Sequence, residues 1–272
     1  MRNRGFTLIE VLIAVVLMAI LATALTRILL SDSRFVSMQE AMITSRQTAR
    51  AAMNVMSVDL RMVSDSGLLA ASADSVYFRS PFAYGMACTA SGGERIVSLL
   101  PTDSAMYASA TPAGIARRRA GLYSFLQGIT LTSSVNAVAC TADSVRVVPD
   151  GFLVGITPDT AAMSGEIIYL YQTVAFRFMA STDMPGRRGL WRRIGAGAYE
   201  ELAAPFDSTA RFRFLVGPNL TRTDTPPADL TTVNGIELGI VAESYVAPQG
   251  QSHYHTFDLP IQIVFANKVN QS

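Results

Sequence analysis

The chain has 272 residues, half of them apolar, and a formal net charge of +1. This composition is sufficient to bury a sizeable core and excludes an extensively disordered protein. The near-neutral charge gives no general bias toward nucleic acid, acidic lipid or acidic substrates. Lys268 is the sole lysine, so a Schiff-base or P-loop mechanism would depend on this one residue, and both are set aside.

The first predicted element is an apolar segment at residues 6–30. No charge lies between Glu10 and Arg27, which stand near its two ends. About 20 apolar residues are enough to cross the hydrocarbon core of a bilayer as a helix. Arg2 and Arg4 precede the segment, so the positive-inside rule leaves the N-terminus in the cytoplasm. We therefore expect a single-pass inner-membrane segment with an exported globular part.

Two other interpretations of this segment are open. An ordinary secretory signal would be cut after its apolar stretch at a small-residue site, and Ala22-Thr23-Ala24 has the required residue sizes. A plain membrane anchor would hold Glu10 near the interface without a function. Against both, an ionisable residue inside a membrane segment costs about 2.5–3.5 kcal/mol and usually has a functional partner. The helical pattern also continues past Leu30 without a loop for a peptidase.

The residues before and after the start of the apolar segment read Gly5-Phe6-Thr7-Leu8-Ile9-Glu10-Val11. This run resembles the prepilin-type cleavage and methylation motif of type IV pilins and type II secretion pseudopilins. The resemblance implies that prepilin peptidase cuts after Gly5 and methylates the new amine of Phe6. It also implies that Glu10 neutralises the N-terminal amine of a neighbouring subunit. In a low dielectric, such a contact offsets the desolvation cost of both charges.

One long helix is predicted for residues 6–66, which contain neither glycine nor proline and would span about 90 Å. Beyond the membrane segment, apolar side chains recur at helical spacing, at Phe35, Met38, Met42, Ala49, Met53, Met56, Leu60 and Val63. The opposite face is polar, with Arg34, Gln39, Arg46, Arg50, Asn54, Asp59 and Arg61. We expect the second half of the helix to pack on a folded domain with this polar face in solvent, and to stop at Gly67.

The remaining chain contains short apolar runs separated by Gly, Pro, Ser, Thr and Asp, which is typical of an antiparallel sheet. Strands are predicted at 76–78, 95–100, 122–126, 145–148, 167–171, 174–178, 190–194, 211–214, 236–241 and 259–265, with a long loop or hairpin tip at 218–232. The predicted fold class is α+β, with a long N-terminal α-helix (a transmembrane half plus an amphipathic half) packed on an antiparallel β-rich globular head. The expected division is a leader at 1–5, a transmembrane and assembly helix at 6–30, an amphipathic helix at 31–66 and a head at 67–272.

A head of about 200 residues suits a tip or initiating subunit better than one repeated along a narrow shaft, since domains of that size are bulky. Later segments resemble the larger minor pilins of the PilW kind and the pseudopilin GspJ; they are Val174-Ala175-Phe176-Arg177-Phe178, Gly189-Leu190-Trp191-Arg192, Glu200-Glu201-Leu202 and Arg211-Phe212-Arg213-Phe214. The resemblance implies a structural, non-enzymatic subunit whose partners are prepilin peptidase, other pilins or pseudopilins, and the inner membrane before assembly. A ligand-binding module at the tip, for adhesion or DNA uptake, is the alternative.

The cysteines Cys88 and Cys140 form no C-x-x-C motif. If the bulk of the chain is exported, a single disulfide is the expected state, and two buried free thiols are the alternative. His253 and His255 are the two histidines, with Asp258 nearby, and on a strand they could share a face for a metal. We expect instead a solvated edge or loop, and therefore no catalytic residues, no cofactor and no metal.

Two further polar features are candidates for binding sites. Arginines cluster at Arg117-Arg118-Arg119, Arg187-Arg188 and Arg192-Arg193. We expect these clusters in solvated loops, and a grip on DNA phosphates is the open alternative. Asp224 and Asp229 lie in the proline-rich loop, but the sequence there has no calcium-type series of alternating oxygen ligands.

Overall fold

The computed structural model describes residues 7–110, 112–119, 122–133, 138–142 and 152–268. In these residues a long N-terminal helix is followed by a large antiparallel β-sheet, which confirms the predicted α+β fold class. The predicted strand at 145–148 lies outside the described residues. The helices are α1 (Leu8–Arg61), α2 (Pro101–Ser109) and α3 (Val138–Ala142), and the strands are β1 (Leu68–Ser72), β2 (Ser75–Ser91), β3 (Glu94–Leu99), β4 (Gly114–Arg119), β5 (Leu122–Leu126), β6 (Thr130–Thr132), β7 (Phe152–Thr157), β8 (Ile167–Ala180), β9 (Arg188–Ile194), β10 (Glu200–Phe206), β11 (Arg211–Val216), β12 (Thr221–Thr223), β13 (Val233–Glu243) and β14 (Thr256–Val264).

Helix α1 ends at Arg61, earlier than predicted, because the C-terminal segment binds its last turn. The backbone N–H of Ala266 donates to the carbonyl of Arg61 at 3.1 Å. The side-chain amide of Asn267 donates to the carbonyl of Met62 at 3.2 Å. Ser64 then forms a parallel β-bridge with Asn267. These contacts satisfy carbonyl groups that a helix end leaves without partners, and the bridge takes the chain off the helical path.

The second half of α1 packs on the sheet through a narrow face. Its buried residues are mostly small, namely Ala41, Ser45, Thr48, Ala49, Ala52, Met56 and Leu60. Phe35, predicted on the buried stripe, is 62% exposed, so burial against the head starts near Ala41. Asp59, predicted to face solvent, instead contacts Arg192 of β9 at 3.0 Å. The predicted stripe is therefore correct toward the end of the helix and wrong at its start.

The described strands form one connected antiparallel network. The path through it runs in the order β12-β11-β13-β10-β9-β8-β2-β3-β7-β6, with β14 beside β13, β1 beside β2, and the β4–β5 hairpin beside β8. The long strands β2 and β8 are paired from Ser75 opposite Arg177 to Met86 opposite Ile167. Strand β8 is continuous where two separate strands were predicted.

The sheet forks along β8. Strand β9 pairs with its second half, from Val174 to Ala180, and β4 pairs with its first half, from Ile168 to Tyr171. Each half has its own apolar cluster. The helix-packed core contains the buried face of α1 together with residues such as Phe78, Phe176, Phe212, Phe214 and Ile240. The second core is built by β2, β3, β4, β7 and β8 and contains Val97, Leu99, Ile115, Val154 and Leu170.

Candidate functional site

The first described turn of α1 is closed by a reciprocal contact between Thr7 and Glu10. Glu10 Oε2 accepts hydrogen bonds from the backbone N–H and the hydroxyl of Thr7, both at 2.9 Å. The N–H of Glu10 donates to Thr7 Oγ1 at 3.4 Å. This capping box satisfies donors at the helix start and fixes the carboxylate on its first turn. The predicted cleavage and methylation residues, Gly5 and Phe6, lie outside the described residues.

The N-terminal half of α1 is apolar and unburied. It is long and apolar enough to cross a membrane, and none of its most apolar 18-residue window is buried. Leu8 is 86% exposed and Leu30 is 46% exposed. Its threonine hydroxyls donate within the helix, from Thr23 to the carbonyl of Ile20 and from Thr26 to that of Ala22, each at 2.8 Å. A contiguous apolar surface of this size needs lipid or partner helices to cover it. Because the threonine hydroxyls are already hydrogen-bonded within the helix, they add little to the cost of transferring it into lipid.

The loop at residues 244–255, between β13 and β14, holds α1 against the head. The hydroxyl of Ser33 donates to Gln249 Oε1 at 2.7 Å, and the N–H of Gln249 donates to Ser37 Oγ at 3.0 Å. Ser45 Oγ lies 3.4 Å from His255 Nδ1. The helix before Ser33 is about 38 Å long at 1.5 Å per residue. That length exceeds the roughly 30 Å of a bilayer's hydrocarbon core.

An ion pair joins the last turns of α1 to the sheet. Arg192 Nη2 lies 3.0 Å from Asp59 Oδ2, and both side chains are mostly buried. Burial raises the pKa of Asp59 above its usual value, although the positive charge of Arg192 acts in the opposite direction. The guanidinium of Arg192 also lies 6.0 Å from the ring centre of Phe176. The pair therefore fixes the helix register on the head and is not a free charged surface.

The histidines lie in the loop that precedes β14. His253 is exposed, and His255 is half-buried beside Ser45. The N–H of His255 donates to Ser244 Oγ at 3.0 Å. Within the described ranges, no group of three or more His, Cys, Asp or Glu side chains is arranged to hold a metal ion. His255 thus contributes to the attachment of the loop to α1.

The arginine clusters do not lie in solvated loops, so that prediction was wrong. Arg117, Arg118 and Arg119 belong to β4, and Arg188, Arg192 and Arg193 belong to β9. Alternate side chains of a strand point to opposite faces of the sheet, and several of these arginines form ion pairs with carboxylates there. The ion pairs are Arg119 with Glu166, Arg187 with Glu243 at 3.4 Å, Arg188 with Asp74 at 2.8 Å, and Arg192 with Asp59 at 3.0 Å. Neither Arg117 nor Arg193 forms an ion pair with a described carboxylate. Arg117 Nη1 instead donates to the carbonyl of Ala161 at 2.9 Å.

The two aspartates of the proline-rich loop are engaged within the head. Asp224 Oδ1 accepts from Arg213 Nε at 2.9 Å. Asp229 Oδ1 accepts from the N–H and the hydroxyl of Thr231, at 2.9 and 2.6 Å. The hydroxyl of Thr231 is the main reason that the pKa of Asp229 is below its usual value. Both carboxylates stabilise the local loop structure.

Cys88 of β2 and Cys140 of α3 are joined by a disulfide, and both are fully buried. They pack with Ile96 and Leu153 in a small apolar cluster. The bond closes a loop with a sequence separation of 52 residues. It attaches α3 to the sheet beside the second core.

Reduction of this disulfide is expected to lower the free energy of unfolding by about 2–4 kcal/mol, because loop closure restricts the unfolded chain. Urea unfolding of the detergent-solubilised protein, with and without reductant, measures this difference, and the intact mass rises by two hydrogen atoms on reduction. The Cys88→Ala/Cys140→Ala protein is the control and should not respond to reductant. An unchanged mass, together with thiols that alkylate before reduction, would contradict the bond.

Comparison with known proteins finds one matching family model, which covers the start of the chain. Residues 1–26 match the prokaryotic N-terminal methylation motif. The match supports a subunit of the type IV pilin-like or pseudopilin class, and it implies processing by prepilin peptidase and assembly with other pilins. No curated protein matches the chain. No solved structure matches it either.

Proposed function

We propose that this protein is a minor subunit of a type IV pilus or type II secretion pseudopilus. It is cut after Gly5, methylated at Phe6 and assembled through its N-terminal helix. The observation that carries this proposal is the unburied apolar first half of α1, with Glu10 fixed at its start. This half of the helix spans about 38 Å from Leu8 to Ser33, which forms a hydrogen bond with Gln249 of the head. The proposed segments are the leader at 1–5, the assembly helix at 6–30, the segment at 31–66, whose helix ends at Arg61, and the head at 67–272.

Glu10 is the proposed assembly residue. Its carboxylate is held by Thr7 on the first helical turn, one turn from the proposed new N-terminus at Phe6. An ammonium group of a neighbouring subunit that reaches this carboxylate would replace two separate desolvated charges with one pair. The attraction is strong in a low dielectric, so the pair would also set the axial position of adjacent helices.

The proposed position in the filament is its tip or initiating end. The support is the size of the head, in which two apolar clusters are built on the shared strands β2 and β8. A bulky head has the most space at a filament end, because neighbouring subunits do not surround it on every side there. The resemblance of the later segments to larger minor pilins and to the pseudopilin GspJ supports a minor subunit. The protein is accordingly proposed to be structural and not an enzyme.

Immunogold labelling tests this position. Filaments are sheared from cells that produce the full-length chain with an epitope inserted between Pro218 and Asn219, the exposed residues of the turn after β11. Labels are expected at filament ends and in low number relative to the main subunit. Labelling along the whole shaft, or protein found only in the membrane fraction, would overturn the proposed position. The same epitope in a main shaft subunit provides the control for antibody access.

A further inference from the structure

The sheet has an outer face that lies opposite the helix-packed core. Tyr77 of β2, Ala175 of β8 and Arg193 of β9 stand side by side in register on this outer face. Their chain neighbours Val76 and Phe176 are fully buried in the helix-packed core on the other face. The outer face is therefore not covered by α1.

A cavity of about 650 Å³ opens on this outer face where the sheet forks between β9 and β4. Its polar lining includes Tyr77, Gln127, Thr173 and Arg193. Residues before β4, after β5 and after β9 complete the wall, namely Pro112, Ala113, Gly128, Gly195 and Ala196. The cavity is shallow and largely open to solvent, so a ligand bound there stays partly exposed. The cavity thus combines an aromatic ring, a hydroxyl, an amide and a cation.

Arg193 is held in a fixed position but has unused donors. Its guanidinium carbon lies 4.9 Å from the ring centre of Tyr199 and 5.8 Å from that of Tyr77. Its Nε is buried without a hydrogen-bond partner. No described carboxylate forms an ion pair with it, unlike Arg192 beside it in the sequence, which binds Asp59. A guanidinium that is positioned by two rings and lacks a counter-ion is well suited to bind a planar anion with two parallel hydrogen bonds.

We propose that this cavity binds the carboxylate of an acidic sugar residue in a glycan, with Arg193 as the anion-binding residue. Thr173 and Gln127 supply hydrogen-bonding groups for sugar hydroxyls, since a hydroxyl and an amide both donate and accept. Tyr77 helps to position the guanidinium of Arg193 from the cavity wall. The site lies on the head and goes beyond the proposed filament function, so each can fail without the other.

Nucleic acid fits the cavity less well. Binding of a phosphate backbone relies on several cations along the strand, and the cavity lining has a single arginine. Stacking of bases needs free aromatic faces, and Tyr77 and Tyr199 each face the guanidinium of Arg193. Arg79, on the same sheet face, lies 4.5 Å from the ring centre of Phe125.

Fluorescence titration of the full-length protein in detergent tests the proposal. Trp191 is the sole tryptophan and stands two positions before Arg193 on the same face of β9, outside the cavity lining, so its emission is expected to change when a ligand binds at Arg193. The probes are tetragalacturonate, neutral maltotetraose and a single-stranded oligothymidylate. Tetragalacturonate is expected to bind tighter than maltotetraose by about tenfold or more, as hydrogen bonds to a charged group contribute roughly 1.5–3 kcal/mol.

Three variants separate the site from general effects of charge. Arg193→Gln is expected to weaken tetragalacturonate binding by about 10- to 100-fold, and Thr173→Val to weaken it by about 2- to 10-fold, because a neutral hydrogen bond contributes less. Arg177→Gln removes an exposed arginine from the same sheet face and should change binding less than about twofold, as surface charges contribute little. Thermal unfolding of each variant checks that it is folded, and Thr173→Val carries the test if Arg193→Gln is not.

Several results would overturn the proposal. One is the absence of tetragalacturonate binding, and another is equal binding of the charged and neutral sugars. Unchanged binding by folded Arg193→Gln and Thr173→Val proteins would place the glycan elsewhere. Oligothymidylate binding that depends on Arg193 without any uronate binding would identify the ligand as nucleic acid.

Discussion

Replacement of Glu10 by Gln is expected to reduce incorporation of the protein into filaments by about 60- to 300-fold. Glutamine keeps the side-chain length and can still close a capping box with Thr7, so the start of α1 should survive. It lacks the negative charge that neutralises a neighbouring amine. An unpaired charge in a membrane segment costs about 2.5–3.5 kcal/mol on insertion scales, which is the source of the expected loss. The measurement is the amount of protein in sheared filaments relative to the membrane fraction.

The matched control for Glu10→Gln is Asp32→Asn, which removes an exposed carboxylate next to Ser33, near the other end of the unburied part of α1. It should assemble within about twofold of the unmodified protein, because an isolated surface charge contributes little. The mature N-terminus is measured in the same samples, which separates a loss of assembly from a loss of cleavage. Normal incorporation of a correctly processed Glu10→Gln protein would show that the charge has no part in assembly.

Phe176→Ala is expected to lower the free energy of unfolding of the head by about 3–5 kcal/mol, the usual cost of emptying a buried phenylalanine site. Phe176 lies on β8, is fully buried and stacks with Phe78 at a ring-centre distance of 6.1 Å. Its ring is also 6.0 Å from the guanidinium of Arg192, which is paired with Asp59 of α1. The truncation therefore weakens both the core and the attachment of the helix. Urea unfolding followed by far-ultraviolet circular dichroism measures the loss.

Two further variants accompany the Phe176→Ala measurement, one as an exposed control and one as a milder truncation. Ile167→Ala truncates a residue of the same strand that is 49% exposed, and it should cost less than about 1 kcal/mol. Phe176→Leu keeps most of the apolar volume and should cost about 1.5 kcal/mol, which is measurable if Phe176→Ala does not fold. Equal effects of Phe176→Ala and Ile167→Ala would contradict the placement of the helix-packed core.

The long helix could be predicted from the sequence because its signals are local. The lack of Gly and Pro indicates continuity, and helical spacing places Met56 and Leu60 correctly on the buried face. Helical spacing placed Phe35 and Asp59 on the wrong faces of the helix. Spacing shows which side chains share a face, but it does not show which part of the head packs against that face. That part of the head includes the 244–255 loop, which is far away in the sequence.

The strands show a similar limit. Runs rich in β-branched and aromatic residues were recognised, but polar residues at Gln172 and Thr173 made the continuous β8 look like two strands. The arginine triplet of β4 was interpreted as loop charge, although β4 pairs on one side with β5 and on the other with β8. Whether such a segment forms a strand depends on its pairing with segments far away in the sequence. Local sequence patterns do not contain that information.

The candidate site was predictable only in part. The spacing from Thr7 to Glu10 is itself the signature of a capping box, so local sequence was sufficient for the start of α1. The contact of Ser33 with Gln249 joins residues 216 positions apart. Arg193 acquires its two tyrosine neighbours from β2 and from the segment that precedes β10. Single-sequence patterns do not encode such long-range contacts.

The mass of the N-terminus shows whether the N-terminal helix is a processed assembly segment. The protein is produced with and without prepilin peptidase, and the intact mass and N-terminal peptide are measured. A mature chain that begins with methylated Phe6, present only with the peptidase, is the predicted result. An uncut chain starting at Met1, or cleavage near Ala24, would contradict the claim and leave an anchored or secreted β-rich protein.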